Sequence, residues 1–269
     1  MDLWQAILLG LVEGLTEYLP VSSTGHILVA QRILGIPATE AANAYAIAIQ
    51  AGAIAAVMVL YRERLARMCR GVLGRDGQGA RLATALLIAF APAAIVGLAF
   101  DDMIEEHLFG PWPIVVAWAL GGVVLLVFGA KLRGRGGLPI EDIGPRVALL
   151  IGVAQCAALW PGVSRSLATI LGALLLGLSM SAAVEFSFLL GLITLGAATA
   201  YKTLQSGGAM LTTYGWLPLA AGFAAAWISA VLAIRWMVSW LTHRGLGVFG
   251  WWRLGAAASV GVLLFLGMM

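Results

Sequence analysis

The chain is predicted to be an all-α polytopic membrane protein with six full transmembrane helices and two re-entrant helix–loop–helix pairs, arranged as an inverted-topology repeat. Three observations predict this. Of its 269 residues, 61% are apolar and 11% charged, whereas a soluble protein carries about a quarter charged residues. Apolar runs of about 20 residues recur, the length of a helical span, without the alternation of barrel strands. Two apolar stretches are each interrupted by a polar cluster, EGLTEYLPVSSTGH at 13–26 and PGVSRS at 161–166. The whole chain, 1–269, is expected to form one membrane domain, with repeat one at about 1–131 and repeat two at about 145–269.

In chain order, MDLWQAILLGLVEG has no basic leader and is broken by Glu13, so it does not match a cleaved signal peptide. Residues 3–19 have helical composition, and Pro20 stops a straight continuation because it lacks an amide donor. Residues 24–35 can form a second helix ending at Gly35, about 18 Å long and too short to span. A re-entrant pair follows, since irregular backbone at membrane depth is tolerated where protein buries it or where it lines a wet cavity. Residues 43–61 make the first span, and Arg62 to Arg81 an arginine-rich loop. Residues 82–100 return, with a kink expected at Pro92. DDMIEE at 101–106 makes an acidic turn, and 111–130 cross again. Residues 147–160 and 166–177 form the second short pair around PGVSRS, and spans follow at 181–201, 215–240 and 249–268.

Charge placement favours this topology. With both short pairs re-entrant, the loops at 62–81, 131–146 and 241–248 share one side. Counting the flanking helix ends at Arg235 and Arg253, that side holds 13 of the 16 basic residues. By the positive-inside rule both termini are then extracytoplasmic. The net charge of +3 is no nucleic-acid footprint, and no nucleic-acid partner is expected. Cys69 and Cys156 are packing residues, without a disulfide framework or metal spacing. Residues 6–35 also align with 148–177: Gly10 matches Gly152, Glu13 matches Gln155, Gly35 matches Gly177, and Pro20 matches Pro161 with a one-residue shift. Three crossings separate the two starts, so the second copy is inverted. Such repeats with broken helices point to a site at their interface.

The two polar interruptions carry the chemistry. Glu13 and Glu17, spaced i, i+4, share a helix face. They are candidates to hold a divalent cation (Mg or Ca), to share a proton, or to engage Arg165. Ser22, Ser23, Thr24 and Gly25 place hydroxyls and a flexible amide at a helix start, where unpaired N–H groups suit a phosphate; simple N-capping is compatible with this. His26 is a candidate base, acid, nucleophile or orienting donor. Ser164, Arg165, Ser166 and Thr169 repeat the design with a cation added. Arg165 is the one arginine that this topology places deep in the membrane. Its guanidinium suits bidentate phosphate contact, and a structural Arg165–Glu17 bridge is the alternative. Glu185 is a further polar anchor without an assigned role.

EGLTEYLPVSSTGH with PGVSRSLAT resembles the BacA-type undecaprenyl-diphosphate phosphatase family of bacteria. The similarity runs through the chain, including VEFSFLL at 184–190. The resemblance implies hydrolysis of the lipid carrier diphosphate to its monophosphate for cell-wall synthesis, an association with bacitracin resistance, and a multi-pass protein of the bacterial plasma membrane. It carries Glu13, Glu17, Ser22, Ser23, Thr24, His26, Ser164, Arg165, Ser166 and Thr169 over as functional positions. Two departures stand out: Leu167 where the family usually has Gly, and no proline near Leu192–Ile193.

The expected reaction is phosphoryl transfer from a polyprenyl diphosphate whose head lies between the two re-entrant tips. Arg165 and the loop amides and hydroxyls would hold the terminal phosphate. Glu17 would serve as base or metal ligand with Glu13. Ser23 or His26 would be the nucleophile or activate a water, and no organic cofactor is needed. A polyprenyl-phosphate flippase is the rival from another class, a catalytically inactive scaffold a third reading, and a homodimer a candidate assembly.

Overall fold

The computed structural model describes residues 1–132 and 136–268. Among them the secondary structure is helical, with a single isolated bridge between Leu138 and Leu178. Six helices are long and apolar enough to cross a membrane: α3 (Glu40–Leu60), α5 (Gly77–Leu108), α6 (Pro111–Leu132), α9 (Met180–Tyr214), α10 (Trp216–Arg244) and α11 (Gly247–Phe265). Their outward faces expose large apolar side chains such as Leu87, Leu232 and Trp251. An exposed apolar belt of this kind suits lipid rather than water.

Four shorter helices stand apart: α1 (Leu3–Thr16), α2 (Ser23–Ile33), α7 (Pro145–Gln155) and α8 (Arg165–Leu175). At 1.5 Å per residue each is about 16–21 Å long, short of the roughly 30 Å hydrocarbon thickness. The α1–α2 pair closes on itself, because Gln5 Nε2 donates to the Leu34 carbonyl at 3.1 Å. Around α7–α8 the flanking backbone meets in the same way: Leu138 N–H donates to Gly177 O at 2.9 Å and Ser179 N–H to Leu138 O at 3.0 Å. Small residues let α1 pack closely. Gly10 abuts the Gly222 backbone, and Gly14 abuts Ser229 and Ala226, the small-residue contact that membrane helices favour.

Several expected boundaries move. The arginine-rich stretch expected as a loop contains an amphipathic helix, α4 (Arg62–Val72), whose Leu65 and Met68 pack on the core. A half-apolar helix is more stable against the bundle than an open loop whose amides would need water. The stretch 101–106 is helical and not a turn, since α5 continues to Leu108. The non-helical residue inside α5 is Phe100 (φ −127°, ψ 18°), and not Pro92, where the kink was expected. Arg133 and Arg135, counted in the sidedness argument, lie outside the described residues.

Ion pairs mark the two ends of the bundle. At one, Arg64 bonds Glu185 at 2.5 Å and Glu141 at 2.6 Å, tying α4 to α9 and to the turn Ile140–Asp142. The Arg64 hydrogen bond holds the Glu141 carboxyl below its ordinary range. At the other, Lys202 of α9 faces Asp101 of α5 at 3.7 Å. Arg253 belongs to neither end. Expected as a flanking residue, it is fully buried in α11, because backbone carbonyls of other segments satisfy it.

Candidate active site

The two helix breaks predicted from Pro20 and Pro161 meet inside the bundle. After each, the next helix starts at a serine with positive φ: Ser22 (φ 73°) before α2 and Ser164 (φ 78°) before α8. Non-glycine residues rarely adopt this region, and each instance costs roughly 1–3 kcal/mol that surrounding contacts must offset. Those contacts are present. Ser164 Oγ accepts from Leu167 N–H at 3.3 Å and bonds Ser166 Oγ at 2.9 Å, and Ser166 Oγ donates to Leu19 O at 2.9 Å. Ser166 thus stitches the second break to the first.

Glu17 is the centre of the cluster. It is 6% exposed, and its two carboxylate oxygens face different halves of the chain. Arg165 Nη2 donates to Oε1 at 3.2 Å. The Ser23 hydroxyl donates to Oε2, where Gln50 Nε2 also reaches at 3.4 Å. Ser23 and Arg165 therefore contact opposite sides of one carboxylate. Glu13, one turn earlier, lies beside Glu17 and Gln50. Its Oε1 is buried without a hydrogen-bond partner among the described residues.

Arg165 is held from behind. Nη1 donates to Ser187 O at 2.9 Å, and the guanidinium lies over the Tyr18 ring at 5.1 Å. Thr169 Oγ1 donates to Arg165 O at 2.8 Å and pairs with Ser187 Oγ at 2.6 Å. Gly191 leaves the guanidinium its space, since a Cβ there would overlap it. Arg165 Nε is a buried donor with no partner among the described residues. Among the described residues the site thus keeps an orphaned donor on Arg165, an orphaned acceptor on Glu13 and an unpartnered Tyr18 hydroxyl. Buried groups of this kind call for an explanation, and a ligand supplies one.

The remaining predicted residues separate into two groups. Thr24 is exposed and lines a cavity of about 470 Å³ together with Glu13, Ser23, Gln50, Asp101, Phe109 and Lys202. A second cleft of about 630 Å³ shares Leu28, Gln31, Asn43 and Phe109 with it and continues past Pro111, Ile114 and Val260. Ser164, Ser166 and Thr169 are buried in the networks above, away from both clefts' linings. Gly25 serves close packing and not flexibility: a Cβ there would stand 2.6 Å from the Trp118 ring.

His26 faces elsewhere. Its Nδ1–H donates to Ser22 O at 2.7 Å, and Nε2 accepts from the Trp252 indole N–H at 3.0 Å. The ring packs against Trp118 and Trp252. Both nitrogens are engaged, and neither contacts Ser23, Glu17 or Arg165. Leu167, the departure from the family pattern, is buried in the main core, so it fills space behind the break.

Gln50, Ser187, Thr199 and Trp252 join the site without having been singled out in the sequence, and Arg253 was read there only as a flanking helix end. Gln50 accepts from Thr199 at 3.2 Å, which aims its amide N–H₂ at Glu17. A glutamine inside the apolar run 43–61 was a visible signal for Gln50. Ser187, which contributes its carbonyl to Arg165 and its hydroxyl to Thr169, lies within VEFSFLL, the stretch quoted for the resemblance, where a serine inside an apolar run was its only signal.

The family model described as "Bacitracin resistance protein BacA" matches residues 6–259. A Sorangium cellulosum undecaprenyl-diphosphatase is 46% identical over 261 residues, covering 96% of this chain and 85% of the relative. A Rhodopseudomonas palustris undecaprenyl-diphosphatase is 41% identical, covering 94% of each chain. One from Nitrosomonas europaea is 41% identical, covering 99% of this chain and 96% of the relative.

Proposed function

Since the chain belongs to the bacitracin resistance protein BacA family, we infer its reaction and the roles of its residues from that membership and from the site geometry. It is an integral-membrane phosphatase that hydrolyses undecaprenyl diphosphate to undecaprenyl phosphate and phosphate, returning the lipid carrier to cell-wall synthesis. The observation that carries the mechanism is the Glu17 carboxylate, which accepts from Ser23 on one oxygen and from Arg165 on the other.

In this reading Ser23 is the nucleophile and Glu17 its base. Ser23 Oγ attacks the terminal phosphorus as its proton passes to Glu17. The Oγ–P bond forms, the bond to the bridging oxygen breaks, and undecaprenyl phosphate leaves with the proton from Glu17. Water then attacks the phosphoserine with Glu17 again as base, releasing phosphate and restoring the hydroxyl. Arg165 donates from Nε, and after exchange from Nη2, to the phosphoryl oxygens, whose charge a guanidinium compensates in the transition state. Thr24 and the amides that start α2 complete the cradle. His26 positions Ser22 and the head of α2. The polyprenyl tail follows the cleft past Leu28, Ile114 and Val260.

A divalent cation, Mg or Ca, fits the orphaned Glu13 Oε1 beside Glu17. Glu13 would hold it, with Glu17 as second ligand only as the alternative to its role as base, and it would neutralise charge on the diphosphate. Among the described residues no group of three His, Cys, Asp or Glu forms a fuller site.

The closed α1–α2 and α7–α8 pairs support the re-entrant topology. The matching positive φ at Ser22 and Ser164, and at Gly35 and Gly177, supports the inverted repeat. The arginine-rich end with Arg64 is then cytoplasmic. The end with Asp101 and Lys202 and both termini are extracytoplasmic, in the inner membrane of the bacterium.

Phosphate release from defined polyprenyl diphosphates by pure protein in detergent, with and without chelator, tests the reading. Release that is unchanged in Arg165→Ala and Ser23→Ala would remove the assigned site. No release, with lipid phosphate moving across vesicles, would replace the phosphatase by a transporter.

A further inference from the structure

Arg253 sits at the back of the site with its hydrogen bonding complete. Its five N–H donors meet five backbone carbonyls: Nε to Trp118 O at 3.3 Å, Nη1 to Pro20 O at 3.3 Å and Val163 O at 3.1 Å, and Nη2 to Ala117 O and Gly162 O, both at 2.8 Å. It is 0% exposed and has no salt-bridge partner among the described residues. Five donors are all that a guanidinium has. Gly121 makes the room, because a Cβ there would overlap the guanidinium.

The choice of carbonyls is informative. Pro20 and Gly162 each stand two residues before a positive-φ serine, Ser22 or Ser164, that starts a site helix. They occupy equivalent places in the two aligned halves. One guanidinium therefore grips the same point of both breaks and ties them to α6 through Ala117 and Trp118. The next residue on α11 after Trp252 is Arg253, and Trp252 bonds His26 on α2. A charge buried without a counter-ion is costly unless hydrogen-bonded. Here it is offset only while both breaks keep these carbonyls converged.

We propose that Arg253 is the positioning residue of the phosphoryl transfer: a clamp that holds the two helix breaks in register, so that Ser23 from the first and Arg165 from the second address the same phosphorus. It does not touch the substrate, since all five donors are taken by backbone carbonyls and the side chain is fully buried. The proposal rests on the phosphatase reading above. Lysine cannot replace it, because an ammonium has three donors for the five carbonyls. Misplacement of reacting groups by about 1 Å costs on the order of 100-fold in rate, and it acts on kcat more than on substrate binding.

The test measures kcat and KM for phosphate release by the full-length protein in detergent, for wild type, Arg253→Lys, Arg253→Ala and Gly121→Ala. Gly121→Ala keeps the charge and displaces the guanidinium. Expected is a fall in kcat of about 100-fold in all three variants with KM within about threefold. Arg253→Ala should be partly restored by added ethylguanidinium at concentrations where equal urea does nothing. Should Arg253→Ala not fold, the KM-against-kcat split of Gly121→Ala decides. Wild-type kcat in Arg253→Lys, or losses confined to KM, would overturn the clamp. Failure of the phosphatase reading is distinct: the wild type itself would release no phosphate.

Discussion

Replacing Arg165 tests the centre of the site most directly. Its side chain and that of Glu17 are 9% and 4% exposed and meet at 3.2 Å. Arg165→Met would strand the Glu17 carboxylate in a buried site. Breaking one side of a buried pair costs about 3–5 kcal/mol, and the Ser187 carbonyl bonded at 2.9 Å loses its donor as well. Separately, losing a preorganised donor to the transition-state charge costs about 2.7–4 kcal/mol, so kcat/KM falls roughly 100–1,000-fold. Arg165→Lys keeps the charge but gives up the fork, a loss of one charge-assisted bond worth about 1.5–3 kcal/mol, or roughly 10–150-fold. Because the stability cost arises from the stranded charge, Glu17→Gln should rescue the melting temperature of Arg165→Met in detergent while leaving it inactive. The assay pairs phosphate release with thermal unfolding of the four proteins of the cycle. Activity of Arg165→Met within threefold of wild type would refute the reasoning. So would stability effects that add within about 0.5 kcal/mol, the behaviour of independent sites.

Three further outcomes are expected. Ser23→Ala should lose at least about 1,000-fold in kcat, and brief reaction with labelled diphosphate should leave acid-stable phosphate on the wild-type chain; acid-labile label would move the nucleophile to His26. His26→Gln should lose only about tenfold, an effect of orientation at most of the scale of one hydrogen bond, because both imidazole nitrogens face Ser22 and Trp252 and not Ser23; a loss as large as that of Ser23→Ala would contradict this. Glu141 titrates below the ordinary carboxylate range because Arg64 donates to it. Its stabilising contribution is therefore present above about pH 4.3, the unfolded-chain value, and lost as pH falls through the lower folded value. Melting curves of wild type and Glu141→Gln should converge at low pH and separate toward neutrality.

Much of this architecture is legible in the residues. The six spans follow from hydropathy over about 20 residues, a local property that neighbouring helices hardly alter. Pro20 and Pro161 announced where the helices break, since a missing amide donor acts on its own turn of helix. Glu13, Glu17, Ser23 and Arg165 stood out because polar groups in hydrocarbon are expensive. The errors share one character. Arg62–Arg81 looked like a loop because its arginines mask the apolar stripe of Leu65 and Met68. DDMIEE looked like a turn because charge was taken for a chain reversal, whereas the helix continues beyond Phe100.

Arg253 shows the limit most clearly. Six residues into α11 and beside Trp251 and Trp252, it resembled a residue anchoring a helix end at the interface. Nothing in its neighbours announces that carbonyls of Ala117, Trp118, Pro20, Gly162 and Val163 converge on it. His26 is the converse case, near Ser23 in sequence yet turned toward Trp252. The sequence alone determined the membrane character, the positions of the breaks and the residue types able to handle a phosphate, because these depend on each residue's own solvation and on its own turn of backbone. Which donor faces which acceptor depends on contacts between segments a hundred or more residues apart, as with Glu17 and Arg165. It took the packing of distant segments to set Glu17 between Ser23 and Arg165 and to bring the carbonyls of both breaks onto Arg253.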